Sequence, residues 1–279
     1  MLPPIVTTIA DVRAAVDAAR AAQKPIAFVP TMGALHEGHA ALVRAARGFV
    51  VVSIFVNPTQ FGPKEDFAKY PRTIEADQKL CGEAGASLIF APGVEEMYPT
   101  NSVTFVDVAK LGDHLCGAAR PGHFRGVCTV VLKLFNIVRP DVAHFGAKDY
   151  QQARIIAQMV RDLNVPVEVR VEPTIREADG LALSSRNRYL SADERAVAPR
   201  IYQMLQATRV RAAAGEIDAA RLESALAADL ATIPGARVDY ARVVDAETLQ
   251  PLARLDRPAV AAVAVFLGTT RLIDNLVLA

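Results

Sequence analysis

The sequence predicts an α/β protein in which a doubly wound parallel sheet is followed by a second, smaller α/β domain. Short apolar runs bounded by Gly, Pro or Asn alternate with amphipathic segments over the first two-thirds of the chain. With 279 residues, 52% of them hydrophobic, the chain can form one large core or two modest ones. The alternation changes to Ala-rich helical patterns near residue 176, so we expect domains at 1–176 and 177–279.

Five short apolar runs are predicted to be the strands of the sheet, because they are partly β-branched and end at turn-forming residues. Between them, apolar residues at three- and four-residue steps predict helices with one apolar face, and Pro140 ends the fourth of these. The strands are expected at 26–29, 50–56, 87–90, 142–145 and 167–171, and the helices at 12–22, 40–47, 73–84, 127–138 and 150–163.

The last third of the chain predicts a smaller unit of two helices and three short strands. The helical patterns cover 192–214 and 219–231, and the strands are expected near 238–244, 259–266 and 272–273. Pro199 interrupts the first helical pattern, because a proline inside a helix removes a hydrogen bond and clashes with the preceding turn.

Charge and cysteine content narrow the class of partner. Lys and Arg number 31 and Asp and Glu number 30, so the chain lacks the basic excess of nucleic-acid-binding proteins and a small-molecule partner is favoured. The three cysteines have no C-x-x-C spacing, which predicts free thiols in a reducing compartment. The N-terminus lacks the pattern of a signal peptide and no segment has about 18 consecutive apolar residues, so we expect a cytoplasmic protein without a membrane span.

The loop after the first predicted strand is the most informative segment. His36 and His39 flank Gly38 at the start of a predicted helix. A helix start offers backbone N–H groups and the positive end of a dipole, so imidazoles placed there can face a phosphate chain. The same spacing would also suit zinc ligands or surface residues, but the other three histidines bring no cysteine or carboxylate cluster at ligand spacing. Nucleotide chemistry is therefore favoured over zinc.

Two features follow the second predicted strand. Asn57 and Gln60 carry amide donors and acceptors suited to a carboxylate and a hydroxyl, although an Asn-Pro turn with Gln60 in solvent is an alternative. The charged segment 62–72 is bounded by Gly and Pro and has the composition of a cover over a site, or of a solvated loop.

Two more polar loops carry groups suited to phosphate. Gly146 lets the backbone approach a ligand, Lys148 supplies a compact positive charge, and Asp149 can cap the following helix or bind a metal. In the second loop, the hydroxyls of Ser184 and Ser185 stand beside Arg186 and can bind phosphate oxygens. Each pattern is common by itself, and the prediction depends on their combination.

Six motifs, in order along the chain, resemble the pantoate–β-alanine ligase (pantothenate synthetase) family. The resemblance implies a Rossmann-like fold of the HxGH nucleotidyltransferase type, a smaller C-terminal domain that closes over the ATP site, and a homodimer. The motifs are Pro30-Thr-Met-Gly-x-Leu-His-x-Gly-His39, Phe55-Val-Asn-Pro-x-Gln-Phe61, Tyr70-Pro-Arg-Thr73, Pro121-Gly-His-Phe-x-Gly-Val127, Phe145-Gly-x-Lys-Asp-Tyr-Gln-Gln152 and Arg176-x-x-x-Gly-Leu-Ala-x-Ser-Ser-Arg-Asn187.

The resemblance implies an ATP-dependent condensation in two steps. Pantoate attacks the α-phosphate of ATP to give an enzyme-bound pantoyl adenylate and pyrophosphate, and Mg²⁺ accompanies the nucleotide. The amine of β-alanine then attacks the activated carbonyl, which releases pantothenate and AMP. The partners implied are therefore small molecules, with no nucleic acid and no membrane.

The resemblance also implies roles for individual residues. His39 matches the family's proton donor, and Gln60 and Gln152 match its pantoate-binding pair, to which we add Met32 and Asn57. Because negative charge builds up on the phosphate oxygens during the attack, the residues expected to be catalytic are the four cationic or imidazole groups His36, His39, Lys148 and Arg186. The ATP-binding residues are expected to be Met32, Gly33, Ala34, Leu35, His36, Glu37, Gly38, His39, Gly146, Ala147, Lys148, Asp149, Ile175, Leu183, Ser184, Ser185 and Arg186, with Asp149 as the candidate metal ligand.

One departure from the family and three alternatives stay open. The family commonly has an acidic residue where Ala147 stands, so any contact of that side chain is missing. A nucleotidyltransferase acting on a phosphorylated metabolite would need additional Arg or Lys in the loop 55–61, which has none. An aminoacyl-tRNA synthetase relative is disfavoured by the near-zero net charge, and a nucleotide sensor would not need so many polar loops. The roles of His123 and Arg125 are not assigned by the sequence.

Overall fold

The structure is a computed structural model that describes residues 2–62, 67–68 and 70–278. Its contacts divide the chain into two compact units that are not continuous in sequence. Within the first domain predicted at 1–176, residues 109–119, 148–151 and 174–176 belong by their contacts to the second unit. The first unit comprises Met1–Val108, Arg120–Ala147 and Gln152–Pro173, and the second comprises Ala109–Ala119, Lys148–Gln151 and Thr174–Ala279.

The first unit is built on a parallel sheet, as predicted, with one more strand than the five expected. The strands are β1 (Ile5–Val6), β2 (Ile26–Thr31), β3 (Phe49–Ile54), β4 (Leu88–Phe90), β5 (Val142–Gly146) and β6 (Glu168–Glu172). Their order is β1-β4-β3-β2-β5-β6, so the chain reverses its direction of winding between β2 and β5. Ligands of doubly wound sheets bind at the carboxyl ends of the strands at such a reversal.

Helices connect these strands, and further helices lie in the second unit. The helices are α1 (Ile9–Ala21), α2 (Glu37–Ala45), α3 (Ile74–Ala84), α4 (Val94–Met97), α5 (Cys116–Ala119), α6 (His123–Val138), α7 (Tyr150–Asp162), α8 (Ala192–Val197), α9 (Arg200–Ala213) and α10 (Ala219–Ala231). The helical pattern predicted for 192–214 forms two helices, α8 and α9, and the interruption expected at Pro199 lies between them, where this residue is the N-terminal cap of α9. The short helices α4 and α5 were not predicted.

The core of the first unit follows from the apolar strands. Residues 26–29 of β2 are at most 2% exposed, because helices cover both faces of the sheet. On one face, α2 and α3 pack against β2, β3 and β4 through Val43, Cys81 and their neighbours. The buried centre of the sheet thus fixes the position of the loop between β2 and α2.

The second unit contains an antiparallel sheet of β7 (Ala236–Asp245), β8 (Ala259–Leu267) and β9 (Thr270–Val277), with β8 in the centre. Successive side chains of a strand point to opposite faces, so β8 contributes to two apolar clusters. Val263 and its alternate neighbours pack with residues of α9 and α10, whereas Val260 and Ala262 pack with Leu115. The segment 109–119 therefore covers the second face of β8.

Over the described ranges of the chain, none of the helices is both long and apolar enough for a membrane crossing.

Candidate active site

The two histidines of the β2–α2 loop cap helix α2 with their side chains. Nδ1 of His36 accepts the backbone N–H of Gly38 at 3.1 Å, and Nδ1 of His39 accepts the backbone N–H of His36 at 3.3 Å. The ring centroids are 4.2 Å apart. A ring nitrogen that accepts a hydrogen bond carries no proton, so each neutral imidazole has its proton on Nε2. The histidine pair therefore caps the helix that begins directly after the carboxyl end of β2.

The backbone N–H groups of this loop are used inside the protein. The N–H of Gly33 bonds to Oγ1 of Thr31 at 3.2 Å, and those of Ala34 and Leu35 bond to the carboxylate of Asp77 at 3.0 and 2.8 Å. The N–H groups of His36 and Gly38, at the start of α2, bond to the two imidazoles. The expectation that the imidazoles, rather than these backbone groups, face a phosphate chain stays a prediction.

The side chain of Gln60 is oriented by its neighbours. Its Oε1 accepts a hydrogen bond from Nδ2 of Asn57 at 3.1 Å, and its Nε2 donates to Sδ of Met32 at 3.1 Å. Gln60 is 8% exposed and follows β3, the strand next to β2. The amide of Gln60 therefore turns its NH₂ group toward the loop that carries His36 and His39.

Asn57 has its hydrogen-bonding capacity taken up by the protein. Its Nδ2 also donates to the carbonyl of Gly126 at 3.1 Å, and its Oδ1 accepts from Oγ1 of Thr59 and from the hydroxyl of Tyr98, both at 2.9 Å. Burial raises the pKa of Tyr98, and the hydrogen bond with Thr59 lowers it in part, so this hydroxyl stays protonated as a donor. Asn57 is thus placed to orient Gln60 from inside the protein.

His123 and Arg125, whose roles the sequence left open, make contacts within the first unit. Nδ1 of His123 lies 2.9 Å from the carbonyl oxygen of Gln60, and its Nε2 lies 3.0 Å from Nη1 of Arg120. The guanidinium of Arg125 stacks on the ring of Phe105 at 4.1 Å. His123 therefore supports the backbone of Gln60, and Arg125 covers an aromatic side chain.

The second unit contains its own cationic cavity, which includes three of the predicted phosphate-binding residues. The backbone carbonyl of Lys148 accepts a hydrogen bond from Nδ2 of Asn275 at 2.9 Å, so β9 holds this lysine in place. The side chain of Lys148 is 17% exposed. The polar residues that line the cavity are Lys148, Ser184, Arg186, Asn187, Arg271 and Asp274.

The loop with Ser184 and Arg186 is fixed by hydrogen bonds within the second unit. Oγ of Ser184 accepts the backbone N–H of Arg186 at 3.2 Å and caps a short 3₁₀ turn. Arg176 binds Asp274 through two hydrogen bonds of 2.6 and 2.9 Å and stacks on the ring of Tyr202. Because its guanidinium is bonded to Asp274 and stacked on Tyr202, Arg176 has a structural role, which accounts for its place in the motif.

Sequence reasoning missed several residues at these sites. Arg271 and Asp274 lie on β9, in a part of the chain whose match to the family was weak, and no local pattern distinguishes them from other charges of a strand. Asn187 stands in a quoted motif, but its role needed the structure: Nδ2 donates to Glu177 and to the backbone, whereas Oδ1 is buried and has no hydrogen-bond partner in the part of the chain that is described.

The remaining predicted residues lie at the ends of the elements that the sequence indicated. Gln152 lies at the start of α7 and is half-buried, whereas its neighbour Gln151 is buried and holds the loop 111–116. The carbonyl of Ile175 accepts the N–H of Leu183 at 2.9 Å. Gly146 is the last residue of β5, and Ala147 begins the 3₁₀ turn that follows it. Of the segment 62–72, which was interpreted as a cover, residues 63–66 and 69 lie outside the described residues.

No metal-binding cluster of His, Cys, Asp or Glu is formed by the residues that the structure describes. The three other histidines bond instead to protein groups: His114 to Gln250, His123 to the Gln60 carbonyl and His144 to Glu172. Asp149, the predicted metal ligand, has a half-exposed side chain 3.9 Å from Nζ of Lys148.

A histidine-capped helix at the winding reversal of a parallel sheet, together with a separate cationic cavity, defines the class of nucleotide-using α/β enzymes with an HxGH motif. The family model for pantoate–β-alanine ligase matches residues 4–277, and the chain belongs to this family.

Individual relatives agree with this membership over nearly the whole chain. The pantothenate synthetases of Moorella thermoacetica and Pseudomonas putida are 54% and 55% identical, with 98% and 97% of this chain covered and 98% and 96% of theirs. The crystal structure of pantothenate synthetase from Thermus thermophilus matches with a TM-score of 0.92 at 50% identity, covering 98% of both chains.

A more distant structure carries ligands. It is the pantoate–β-alanine ligase of Francisella tularensis, solved with a β,γ-ATP compound and β-alanine, and it matches with a TM-score of 0.77 at 32% identity, covering 99% of this chain and 97% of that one. The family is that of an ATP-dependent ligase, and the resemblance inferred from the six motifs is confirmed.

Proposed function

We propose that this protein condenses pantoate with β-alanine through a pantoyl adenylate, and that the loop with His36 and His39 binds the phosphates of ATP. The observation that carries the proposal is the imidazole pair that caps α2 directly after β2, in the same loop as Met32, whose Sδ accepts the NH₂ group of Gln60. Imidazoles suit the phosphates of ATP and an amide suits a carboxylic acid, and one loop relates the two kinds of group.

The first step is the attack of the pantoate carboxylate on the α-phosphorus of ATP. A bond forms between a carboxylate oxygen and phosphorus, and the bond from phosphorus to the bridging oxygen breaks, so pyrophosphate leaves. Negative charge grows on the equatorial oxygens and on the leaving group. Nε2–H of His36 and His39, the ammonium of Lys148 and the guanidinium of Arg186 are the groups that we propose to stabilise this charge.

Pantoate is held for this attack by the amide groups. Gln60 offers its NH₂ group because Asn57 occupies its Oε1, and Gln152 at the start of α7 is the second amide. Met32 lies against Nε2 of Gln60 and supplies an apolar surface. We propose that Asn57 acts by fixing Gln60 and does not itself contact pantoate, which modifies the role expected from the sequence.

In the second step, the amine of β-alanine attacks the carbonyl carbon of the adenylate. The new C–N bond forms, the bond to the phosphate oxygen breaks, AMP leaves and the amine loses a proton. No side chain has to form a covalent bond with the substrate, so positioning and electrostatic stabilisation supply the rate. Charge stabilisation by His39 is therefore the proposed role, ahead of proton donation.

We propose that Mg²⁺ enters with ATP. Protein sites for Mg²⁺ on nucleotides use one or two carboxylates plus phosphate oxygens and water, and the half-exposed carboxylate of Asp149 fits that donor set. When bound, the ion neutralises charge on the phosphates. Ser184, Ser185 and the backbone of Ile175 and Leu183 are proposed to hold the rest of the nucleotide.

Transfer of ¹⁸O tests the adenylate mechanism. Pantoate labelled in its carboxylate oxygens is incubated with ATP, Mg²⁺ and β-alanine, and AMP is examined by mass spectrometry. One labelled oxygen in AMP is expected, because the carboxylate oxygen that attacked phosphorus stays with it. ADP as the product, or AMP without label, would exclude the adenylate. Pyrophosphate release only with a phosphorylated acceptor would favour the nucleotidyltransferase.

We further propose that the protein is a cytoplasmic homodimer. The dimer is supported by the family resemblance, and light scattering on the 29.9 kDa chain should give twice that mass. The cytoplasm is supported by the three cysteines, none of which forms a disulfide in the described ranges. A monomer in solution, or a thiol count below three in denatured unreduced protein, would contradict these assignments.

A further inference from the structure

Asp77 is a buried carboxylate, and the groups of the described residues that donate hydrogen bonds to it carry no charge. It lies on α3 and is 2% exposed. Its partners are two backbone N–H groups, those of Ala34 and Leu35, and the hydroxyl of Thr73. A buried carboxylate costs free energy unless hydrogen bonds satisfy it, so its position between α3 and the β2–α2 loop needs a physical reason.

Both carboxylate oxygens of Asp77 accept hydrogen bonds from the same turn of the β2–α2 loop. Oδ2 accepts the N–H of Ala34 at 3.0 Å, and Oδ1 accepts the N–H of Leu35 at 2.8 Å and Oγ1 of Thr73 at 3.2 Å. Hydrogen bonds to a charged acceptor are roughly twice as strong as neutral ones. One side chain therefore holds the two residues that directly precede His36.

The loop backbone needs such a partner because two consecutive residues are left-handed. Gly33 has a φ of +82° and Ala34 a φ of +51°. For alanine this region costs on the order of 1 kcal/mol and persists only where the surroundings impose it. A Cβ on Gly33 would also lie 3.1 Å from Oδ2 of Asp77 and 3.0 Å from Cγ2 of Ile54, so glycine fits there.

We propose that Asp77 is a positioning residue that holds the β2–α2 loop in its left-handed turn and thereby sets where His36 and His39 point. The histidine pair is rigid within itself, because each ring bonds to the backbone of the same helix start. Its attachment to β2 passes through Gly33, Ala34 and Leu35, which Asp77 fixes. The inference rests on the proposed role of this loop in binding ATP.

The test compares Asp77→Asn with Thr73→Val. An asparagine can accept one N–H but turns its NH₂ group toward the other, so the turn loses a bond and gains a repulsion. We expect KM for ATP to rise about 10-fold and kcat to fall about 10-fold or more, with KM for pantoate changed less than about 2-fold. Thr73→Val removes only the third partner of the carboxylate and should change each constant less than about 2-fold.

Ala34→Gly provides a readout that a general loss of stability would not move. If Asp77 is needed because Ala34 is left-handed, glycine at 34 should recover part of the ATP defect of Asp77→Asn, by about 3-fold or more in KM. An Asp77→Asn variant with unchanged ATP constants, or one that Ala34→Gly does not improve, would overturn the proposal.

A measurement on the unmodified protein covers the case in which Asp77→Asn does not fold. The amide hydrogens of Ala34 and Leu35 should exchange at least about 100-fold more slowly than unprotected amides, with or without ATP. Fast exchange at both positions would overturn the proposed role of Asp77. His39→Ala, measured in parallel, separates the role of the loop in binding ATP from the role of Asp77. If both His39→Ala and Asp77→Asn leave the ATP kinetics unchanged, the proposed ATP site fails. If only Asp77→Asn is without effect, only the positioning role of Asp77 fails.

Discussion

At the scale of single residues, the proposed site depends on side chains whose orientation is fixed by hydrogen bonds to the protein. The imidazoles of His36 and His39 each accept at Nδ1, and Gln60 accepts at Oε1. In each case a defined acceptor atom is occupied by a protein group, so the ring or amide is held in one orientation. Substitutions that separate the acceptor from the donor therefore test the roles directly.

Replacing His39 should reduce turnover without unfolding the protein. His39→Ala should lower kcat about 10²- to 10³-fold, because it removes a donor to the charge of the transition state. His39→Asn keeps an acceptor for the helix cap and should lose a similar factor while recovering about 1 kcal/mol of stability relative to alanine. His114→Ala, which removes a histidine bonded to Gln250, is the control and should leave turnover within about twofold. Near-normal turnover in both His39 variants would contradict the assignment.

Gln60 should affect pantoate more than ATP. Gln60→Ala is expected to raise KM for pantoate about 10-fold or more and KM for ATP only slightly, since it removes the amide donor that we assign to the acid. Initial-rate kinetics with each substrate varied in turn measure both constants. Gln203→Ala, at an exposed position of α9, is the matched control. Equal losses for both ligands would count against a pantoate pocket at Gln60.

The sequence predicts which residues belong to the proposed site, but it does not predict their hydrogen-bond partners. The motifs singled out His39 and Gln60 because chemistry limits which side chains serve phosphate and carboxylate. The saturated environment of Asn57 and the role of Asp77 come from contacts over tens of residues. On the helix pattern at 73–84, Asp77 was indistinguishable from a solvent-facing carboxylate, although it is buried.

At the scale of elements, the position of Gln60 depends on a close approach between α6 and the short 3₁₀ turn Pro58–Gln60. A Cβ added to Gly126 would lie 2.4 Å from the carbonyl oxygen of Thr59 and 2.7 Å from Cα of Gln60. The same glycine accepts the hydrogen bond from Asn57 through its carbonyl. Helix α6 therefore limits where the turn that carries Gln60 can lie.

Gly126→Ala should disturb this contact. We expect a loss of about 1–3 kcal/mol in the free energy of unfolding and a rise in KM for pantoate that exceeds the rise for ATP, because the turn must move. Denaturant unfolding and initial-rate kinetics measure the two effects. The control Gly93→Ala adds a Cβ where no atom lies within 4 Å and should change neither. Unchanged stability and kinetics in Gly126→Ala would show that the turn is not constrained.

Element boundaries were predicted where the pattern was periodic and missed where it was not. Strand β1 has two residues, too few for an alternation, and α6 begins at His123, ahead of its first regularly spaced valine. The break between α8 and α9 was visible as Pro199, but the sequence did not say on which side of the proline each helix ends. Register and close approach, as at Gly126, have no counterpart in a local pattern.

At the scale of the whole molecule, two buried thiols make the free energy of unfolding fall as the pH becomes alkaline. Burial, with the nearby charge of Asp77, raises the pKa of Cys81 to about 12, and burial, with Asp107, raises the pKa of Cys128 to about 12. The unfolded chain ionises these thiols near the ordinary value of 9.0, so the folded state loses relative stability as the pH rises from about 9 to about 12.

Replacing both thiols should flatten this dependence. Between pH 8 and pH 10 the unmodified protein is expected to lose about 1 kcal/mol for each cysteine, and Cys81→Ala with Cys128→Ala should lose correspondingly less. Urea unfolding at each pH measures the slopes. Tyr98 and Tyr240, whose pKa values burial also raises, titrate in both proteins and cancel in the comparison. Parallel slopes in the two proteins would contradict the effect.

The second unit has a consequence for synthesis of the chain. Leu115 covers one face of β8 against Val260, and roughly 145 residues separate the two. At a ribosomal rate of ~5–20 residues per second, this leucine leaves the tunnel on the order of ten seconds before its partner has been made. During that interval the nascent polypeptide carries an uncovered apolar segment, which is the kind of surface that a ribosome-associated chaperone binds.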